Sequence, residues 1–436
     1  MRIRVFFLLL FAPCLYGAPP VETVVVFPFE NLSGRPELDW VSESFSEVIE
    51  SRLFSAKPYV LSRDERLTGF GLLGLPSGSR LTLASIFKVS QVVGADWAVT
   101  GTFNWSEDRI SARAQLVDMN VPRIRTILQE EGKLHDLLNL QSRLAWGLLR
   151  NFDPNLGMEK EDFVRSFSQV RLDAFESLIY GLLAREWDSQ VRYFTKAFQL
   201  DPHERRSAFE LGRLYFEDKK YAPSLEWLEK IEPENQLYLE ATFLKAINHY
   251  RLNNFKKAEG IFRQLTESLH SPEVHNNMGL LEVRKGNHSE AITHLVAAYQ
   301  LDQNNADLNF NLALMFWKAG KFDQASRYIQ ECLLLRGDDS EAQFLQGQIV
   351  AKQVAAGKIR AEALGSEHEV QSFADDPLST ETNLEFRILV EYNVRPFRRP
   401  SMGVFPSHAF FMEKFPWEIL PAIESSSGLF YGHAWF

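Results

Sequence analysis

Two asparagines and three cations return at a nearly constant interval in the second half of this 436-residue chain: Asn277 and Asn311 in one row, Arg251, Arg284 and Lys318 in another. An asparagine amide both donates and accepts, so it can pair with the N–H and C=O of an extended backbone without reading its side chains. A cationic row in a chain of net charge −10 suits a carboxylate-bearing segment. Phe243, Tyr250, Phe310 and Trp317 fall beside these rows and would supply apolar pockets. Together they describe a groove for an extended peptide or protein, acidic in character. The same residues also have a plainer use, with basic side chains solvating helix ends and aromatics packing between repeating units.

Other chemistry is weakly signalled. Gly69-Phe70-Gly71-Leu72-Leu73-Gly74 spells a dinucleotide-type glycine pattern, but a polar helical stretch precedes it where a strand is required, so it reads as a flexible loop. His249, His270, His275, His288 and His294 form neither a zincin pair nor a cluster with cysteine. No nucleophile elbow, phosphate loop or paired-carboxylate motif stands out. Cys332 sits where a small buried residue is expected and reads as a packing residue. The expectation is no enzyme, with no catalytic, cofactor or metal site.

A helical array must position the two rows. Ala258, Ala291 and Ala325 recur in steps of 33 and 34 residues. The unit Ala306 to Asp339 carries Leu312-Ala313, Phe316, Gly320, Phe322, Ala325, Ile329 and Cys332. Met278-Gly279, Gly286, Ala291, Leu295 and Ala298 repeat that pattern one unit earlier, and Leu211-Gly212, Tyr215, Tyr221, Ser224 and Leu228 repeat it further back. Small residues at fixed places let antiparallel helices approach, and aromatics fill the space between units. These units resemble tetratricopeptide repeats, and in similar repeats an asparagine at the place of Asn277 and Asn311 faces the groove. Four good repeats are expected, with a short unit at Asp173 to Pro202 before them and a capping helix from Ser340 to about Lys358 after them.

The first half reads differently. Val24 to Phe27 is an unbroken β-branched run ending at Pro28, and Trp40, Val41, Phe45, Val48, Ile49 and Leu53 recur at helical spacing. A short strand at Tyr59 to Leu61, a helix at Leu81 to Val93, strands at Trp97 to Phe103, Ile110 to Val117 and Ile124 to Leu128, and a helix from His135 to about Arg150 follow. Val24 to Gly34, Gly94 to Gly101 and the hairpin to Asp118 resemble the amino-terminal TolB-like domain, distantly related to CsgG- and FlgO-type envelope domains. That resemblance implies an envelope protein without catalysis. The expected fold class is a small α+β domain with a mixed sheet, followed by an all-α solenoid.

Arg2 and Arg4, the apolar run Val5 to Ala12 and small residues to Gly17-Ala18 form a secretory signal, with cleavage expected after Gly17. Cys14 offers a lipoprotein alternative, although Phe11 and Pro13 depart from a lipobox. The expected parts are a signal peptide (1–17), the TolB-like domain (18–152), a linker and the start of the helical array (153–172), the repeats with their cap (173–358) and an irregular tail (359–436) in which Glu385 to Val394 could be a strand. An acidic chain offers no field for phosphate backbones, so nucleic acid is excluded as a partner. The function these features point to is a periplasmic scaffold that grips a protein or peptide, with peripheral envelope association. A ligand sensor or enzyme accessory is the alternative, which a polar pocket in the α/β domain would favour.

Overall fold

The computed structural model describes residues 22–53, 58–76, 80–121, 123–167, 170–269, 271–355 and 384–390. They fall into two compact units that divide between Asn254 and Phe255.

The first unit begins with β1 (Thr23–Val26), β2 (Glu30–Asn31), α1 (Trp40–Leu53), β3 (Tyr59–Val60), α2 (Arg63–Leu72) and α3 (Leu83–Val92). It continues through β4 (Trp97–Ser106), β5 (Arg109–Asp118), β6 (Arg123–Gly132) and α4 (Leu137–Phe152). The sheet runs β3-β1-β4-β5-β6, with β2 also on β4; β1 is parallel to β3 and β4, and the β4-β5-β6 meander is antiparallel. This is the mixed sheet expected of the α+β domain. Val24 and Val26 belong to the core formed with α1 and α4, while Phe27 stacks on Phe70 of α2 at 6.3 Å. Both faces of β1 are therefore covered, which is why its sequence does not alternate.

The glycine run read as a loop is instead the end of α2. A Cβ on Gly69 would lie 2.5 Å from Val93 Cγ1, so this glycine lets α2 approach α3 closely. Packing here overrides a poor helix propensity.

The same unit continues with α5 (Lys160–Arg165), α6 (Leu172–Leu183), α7 (Trp187–Leu200), α8 (Arg205–Glu217), α9 (Tyr221–Leu228) and α10 (Tyr238–Arg251). One apolar core runs from Val24 on β1 through Leu178, Leu182 and Phe194 to Leu211 and Leu214 on α8. Residue 152 thus falls between elements that share a core.

The second unit contains α11 (Phe255–Ser268), α12 (Pro272–Lys285), α13 (His288–Leu301), α14 (Ala306–Lys318), α15 (Phe322–Leu335), α16 (Ser340–Ala355) and the segment 384–390. Ala258, Ala291 and Ala325 are fully buried, and a Cβ on Gly279 would sit 2.9 Å from Leu295 Cγ. The turns repeat as well. Lys219, Asn253, Gly286 and Gly320 occupy equivalent places after the first helix of successive pairs, and all four have positive φ.

Candidate peptide-binding face of the repeats

Helix α12 starts at Ser271, whose hydroxyl accepts from the Val274 N–H, with Pro272 at its first turn. Helix α14 starts at Asn305, whose side chain accepts from the Asp307 and Leu308 N–H groups. These starts set the rotation of both helices and bring Asn276, Asn277 and Asn311 together, all fully buried. Asn311 Nδ2 donates to Asn276 Oδ1 at 2.8 Å, and Asn276 Nδ2 donates to Asn277 Oδ1 at 3.1 Å.

The segment 384–390 lies on this amide cluster. Asn311 Nδ2 donates to the Arg387 carbonyl at 2.7 Å, and Asn311 Oδ1 accepts from the Arg387 N–H at 2.7 Å. Asn277 does the same for Leu389, at 2.8 and 3.0 Å. Asn276 Nδ2 adds a contact to the Arg387 carbonyl at 3.0 Å. Alternate residues turning both backbone groups the same way is the geometry of an extended chain. The strand expected from Glu385 to Val394 is thus a single extended stretch, held by side chains instead of a ladder, over its described residues.

Side chains anchor the segment too. The Arg387 guanidinium lies 3.7 Å from the Phe310 ring centroid. It donates to both carboxylate oxygens of Asp339 (2.6 and 2.8 Å), to Asp307 (2.9 Å) and to Glu341 (2.9 Å). A forked, charge-assisted pair over an aromatic face is a strong form of this contact. Arg387 holds the Asp339 carboxyl below the usual carboxylate range against the opposing effect of burial. Burial works against the Arg387 charge, and the bonds to Asp339, Asp307 and Glu341 outweigh it, raising its pKa. Leu389 is buried with Ala298 and Leu308, and Leu384, Phe386 and Ile388 pack on the core of α14, α15 and α16.

The expected site residues divide. Asn277, Asn311 and Phe310 meet the segment directly, and Lys318 places its Nζ 6.0 Å from the Phe386 ring centroid. Arg284 is exposed and lies over Phe255 at 4.9 Å, and Arg251, in the first unit, is exposed at the end of α10. Trp317 is half-buried against the apolar core, Tyr250 is half-buried, and Phe243 is fully buried within the first unit. The expected basic rail for an acidic segment is also reversed where contacts exist, because the repeats supply the acids and the segment supplies the cation.

Sequence reading missed Asn276, Asp307, Asp339, Glu341 and Arg387. A signal for two of them was present: Glu273, Asp307 and Glu341 recur at 34-residue steps. An acid in the first helical turn is already explained by the helix dipole, which hid that row.

Elsewhere the chemistry is self-contained. A cavity of about 320 Å³ in the first unit is lined by Glu43, Arg63, Arg66, Phe70, Leu182 and Arg185, among others. Arg66 pairs with Glu43 and donates to the Val26 carbonyl at 2.6 Å; Arg63 donates to Glu43 at 2.8 Å and to the Leu182 carbonyl at 2.7 Å. Burial pushes the Cys332 thiol up to about 11, consistent with a packing residue. Among the described residues no three His, Cys, Asp or Glu side chains gather to hold a metal ion, and no helix is long and apolar enough to cross a membrane.

Sequence profiles of the tetratricopeptide repeat match residues 243–306 and 282–349. Residues 243–349 are tetratricopeptide repeats. The face that carries Asn277 and Asn311 therefore belongs to a tetratricopeptide array, and α12 and α14 are the first helices of two of its repeats. Solved structures similar to the chain include YrrB, described as a tetratricopeptide protein with an unusual peptide-binding site. It is 18% identical over 39% of this chain and 90% of its own, with a TM-score of 0.32. MamA from Desulfovibrio magneticus RS-1 is 14% identical over 38% and 98%, with a TM-score of 0.35. The LpoB C-terminal domain from Salmonella enterica is 14% identical over 27% and 87%, with a TM-score of 0.22. No curated protein sequence matches the chain.

Proposed function

We propose that this chain is an exported, non-catalytic interaction scaffold whose tetratricopeptide face holds an extended polypeptide by its backbone. The observation that carries this is the pairing of Asn277 and Asn311 with both backbone groups of alternate residues in one extended segment. Such pairing is indifferent to side chains and suits a protein or peptide partner. The periplasm follows from the signal at residues 1–17, which lies outside the described residues, and the resemblance of residues 18–152 to TolB-like domains supports docking on an envelope component. The sensor alternative is less favoured, because the guanidiniums of Arg63 and Arg66 at the cavity are already answered by Glu43 and backbone carbonyls.

Calorimetric titration of the full-length Arg387→Ala chain with extended synthetic peptides tests the reading. Binding should weaken by tenfold or more, on the order of 1.4 kcal/mol, when Asn277→Ala and Asn311→Ala are added. Affinity that ignores both asparagines would move the interaction off this face. For export, amino-terminal sequencing of periplasmic material should begin at Ala18, and a diacylated Cys14 recovered from outer membranes would overturn cleavage after Gly17.

A further inference from the structure

We propose that this face contains an arginine-reading subsite, formed by Asp307, Phe310, Asp339 and Glu341. Its partners are peptides that carry an arginine between an aromatic residue and aliphatic ones, and residues 384–390 of this chain are an internal occupant that such a partner displaces. The inference rests on the peptide-binding reading above and adds to it the chemistry of selection.

Three carboxylates from α14, the start of α16 and the residue before it converge on one guanidinium whose side chain is 16% exposed. Their mutual repulsion is relieved by a cation, and the guanidinium that fills the centre comes from a segment 46 to 80 residues away in sequence. Arg336 answers part of the charge on Asp307 at 2.9 Å and on Asp339 at 3.6 Å but sits at the rim, 47% exposed. The fork on Asp339 and the flat ring of Phe310 match a planar guanidinium and are poorly matched to an ammonium. The site therefore reads arginine by shape as well as charge.

The segment also has the habits of a ligand. Its backbone bonds at Arg387 and Leu389 run to side chains of the repeats, as a captured peptide's do, with no neighbouring strand among the described residues. The sequence Phe386-Arg387-Ile388-Leu389 places the arginine over Phe310, the aromatic residue near Lys318 and the leucine against Ala298 and Leu308. Because it belongs to the same chain, it competes at an effective concentration set by its tether, and a free peptide must exceed that to bind.

Fluorescence anisotropy with a labelled peptide of residues 384–390, and with the same peptide carrying Arg387→Ala, separates the claims. The full-length Arg387→Ala chain should bind the arginine peptide at least about tenfold more tightly than the wild-type chain does, and the alanine peptide at least about tenfold more weakly than the arginine peptide. The full-length Leu389→Ser chain loosens the internal segment without touching the acids and should show the same gain; circular dichroism melts report whether each chain is folded. Equal affinity for the two peptides overturns the arginine subsite and leaves the peptide-binding reading standing. Failure of folded Arg387→Ala and Leu389→Ser chains to bind either peptide overturns both. Equal affinity of wild-type and variant chains for the arginine peptide overturns the internal competitor. So does a wild-type chain that self-associates and is driven to monomer by peptide, which would assign the segment to a second copy.

Discussion

Two charge clusters in this protein use the same chemistry to different ends. In the first unit, Glu43 answers Arg63 and Arg66, and Glu210 answers Arg206 and Arg213. Glu43 ties α1 to α2, and Arg213 carries the cluster on to Asp64 of α2, so the cluster is closed within the helices of this unit and helps fix how they meet. In the second unit, Asp307, Asp339 and Glu341 converge where the helices leave the centre to a cation from the segment 384–390. The difference lies in the source of the counter-charge. A cluster neutralised by its own scaffold is structural, and one neutralised by a separate segment that is also held by its backbone has the form of a binding site.

The sharpest break of this contrast is Arg66→Ala. It leaves Glu43 buried beside Arg63 alone and removes a donor from the Val26 carbonyl. Unfolding free energy by denaturant titration should fall by roughly 3–5 kcal/mol. A loss below about 1 kcal/mol would show that the first cluster does not secure the core.

One carboxyl in each unit should also respond to pH with opposite sign, Glu240 in the first and Asp339 in the second. Burial raises the Glu240 carboxyl to about 6, opposed by Arg206 and Arg213 and reinforced by Glu210 and Asp64. The folded state then holds that proton more tightly than the unfolded chain, so its contribution is present below the ordinary value and lost as pH rises through about 6. The Asp339 carboxyl is depressed by Arg387, so its contribution is present above the ordinary value and lost as pH falls through the lowered one. Glu240→Gln should flatten stability between the usual carboxylate pKa and pH 6 by on the order of 1 kcal/mol, and thermal melts across that range would show it. An unchanged pH profile would contradict the assignment.

A smaller effect is expected at Lys219, which holds φ 59° at a turn where Gly286 and Gly320 serve other repeats. Lys219→Gly relieves the left-handed strain of an L side chain and gives back part of the gain as chain entropy, for a net increase of roughly 0.5 kcal/mol. A lower melting temperature would show that the lysine side chain contributes more than the turn strain it causes.

The array was legible in the sequence because close helix contact demands small residues at a fixed interval, as Gly279 against Leu295 and the buried Ala291 and Ala325 illustrate. The asparagine row was legible for the same reason. Arg284 kept the period but lies over Phe255, while Lys318 lies near Phe386 of the segment, since a residue at the end of a helix repeats whether or not it faces a groove. Arg387 was illegible because its segment has no period, and its partners are identified only by what the folded repeats place around it. The Gly69 to Gly74 run misled in the other direction, as its helix is dictated by the approach to Val89 and Val93 and not by local propensity.

Amide hydrogen exchange read residue by residue over 384–390 tests backbone capture most directly. In the wild-type chain the Arg387 and Leu389 amides, which donate to Asn311 and Asn277, should exchange at least about tenfold more slowly than that of Ile388, which faces the other way in an extended chain. In the Asn277→Ala/Asn311→Ala chain that alternation should disappear while the helices stay protected. Uniform exchange across the segment in the wild-type chain, or an alternation that survives loss of both asparagines, would contradict it.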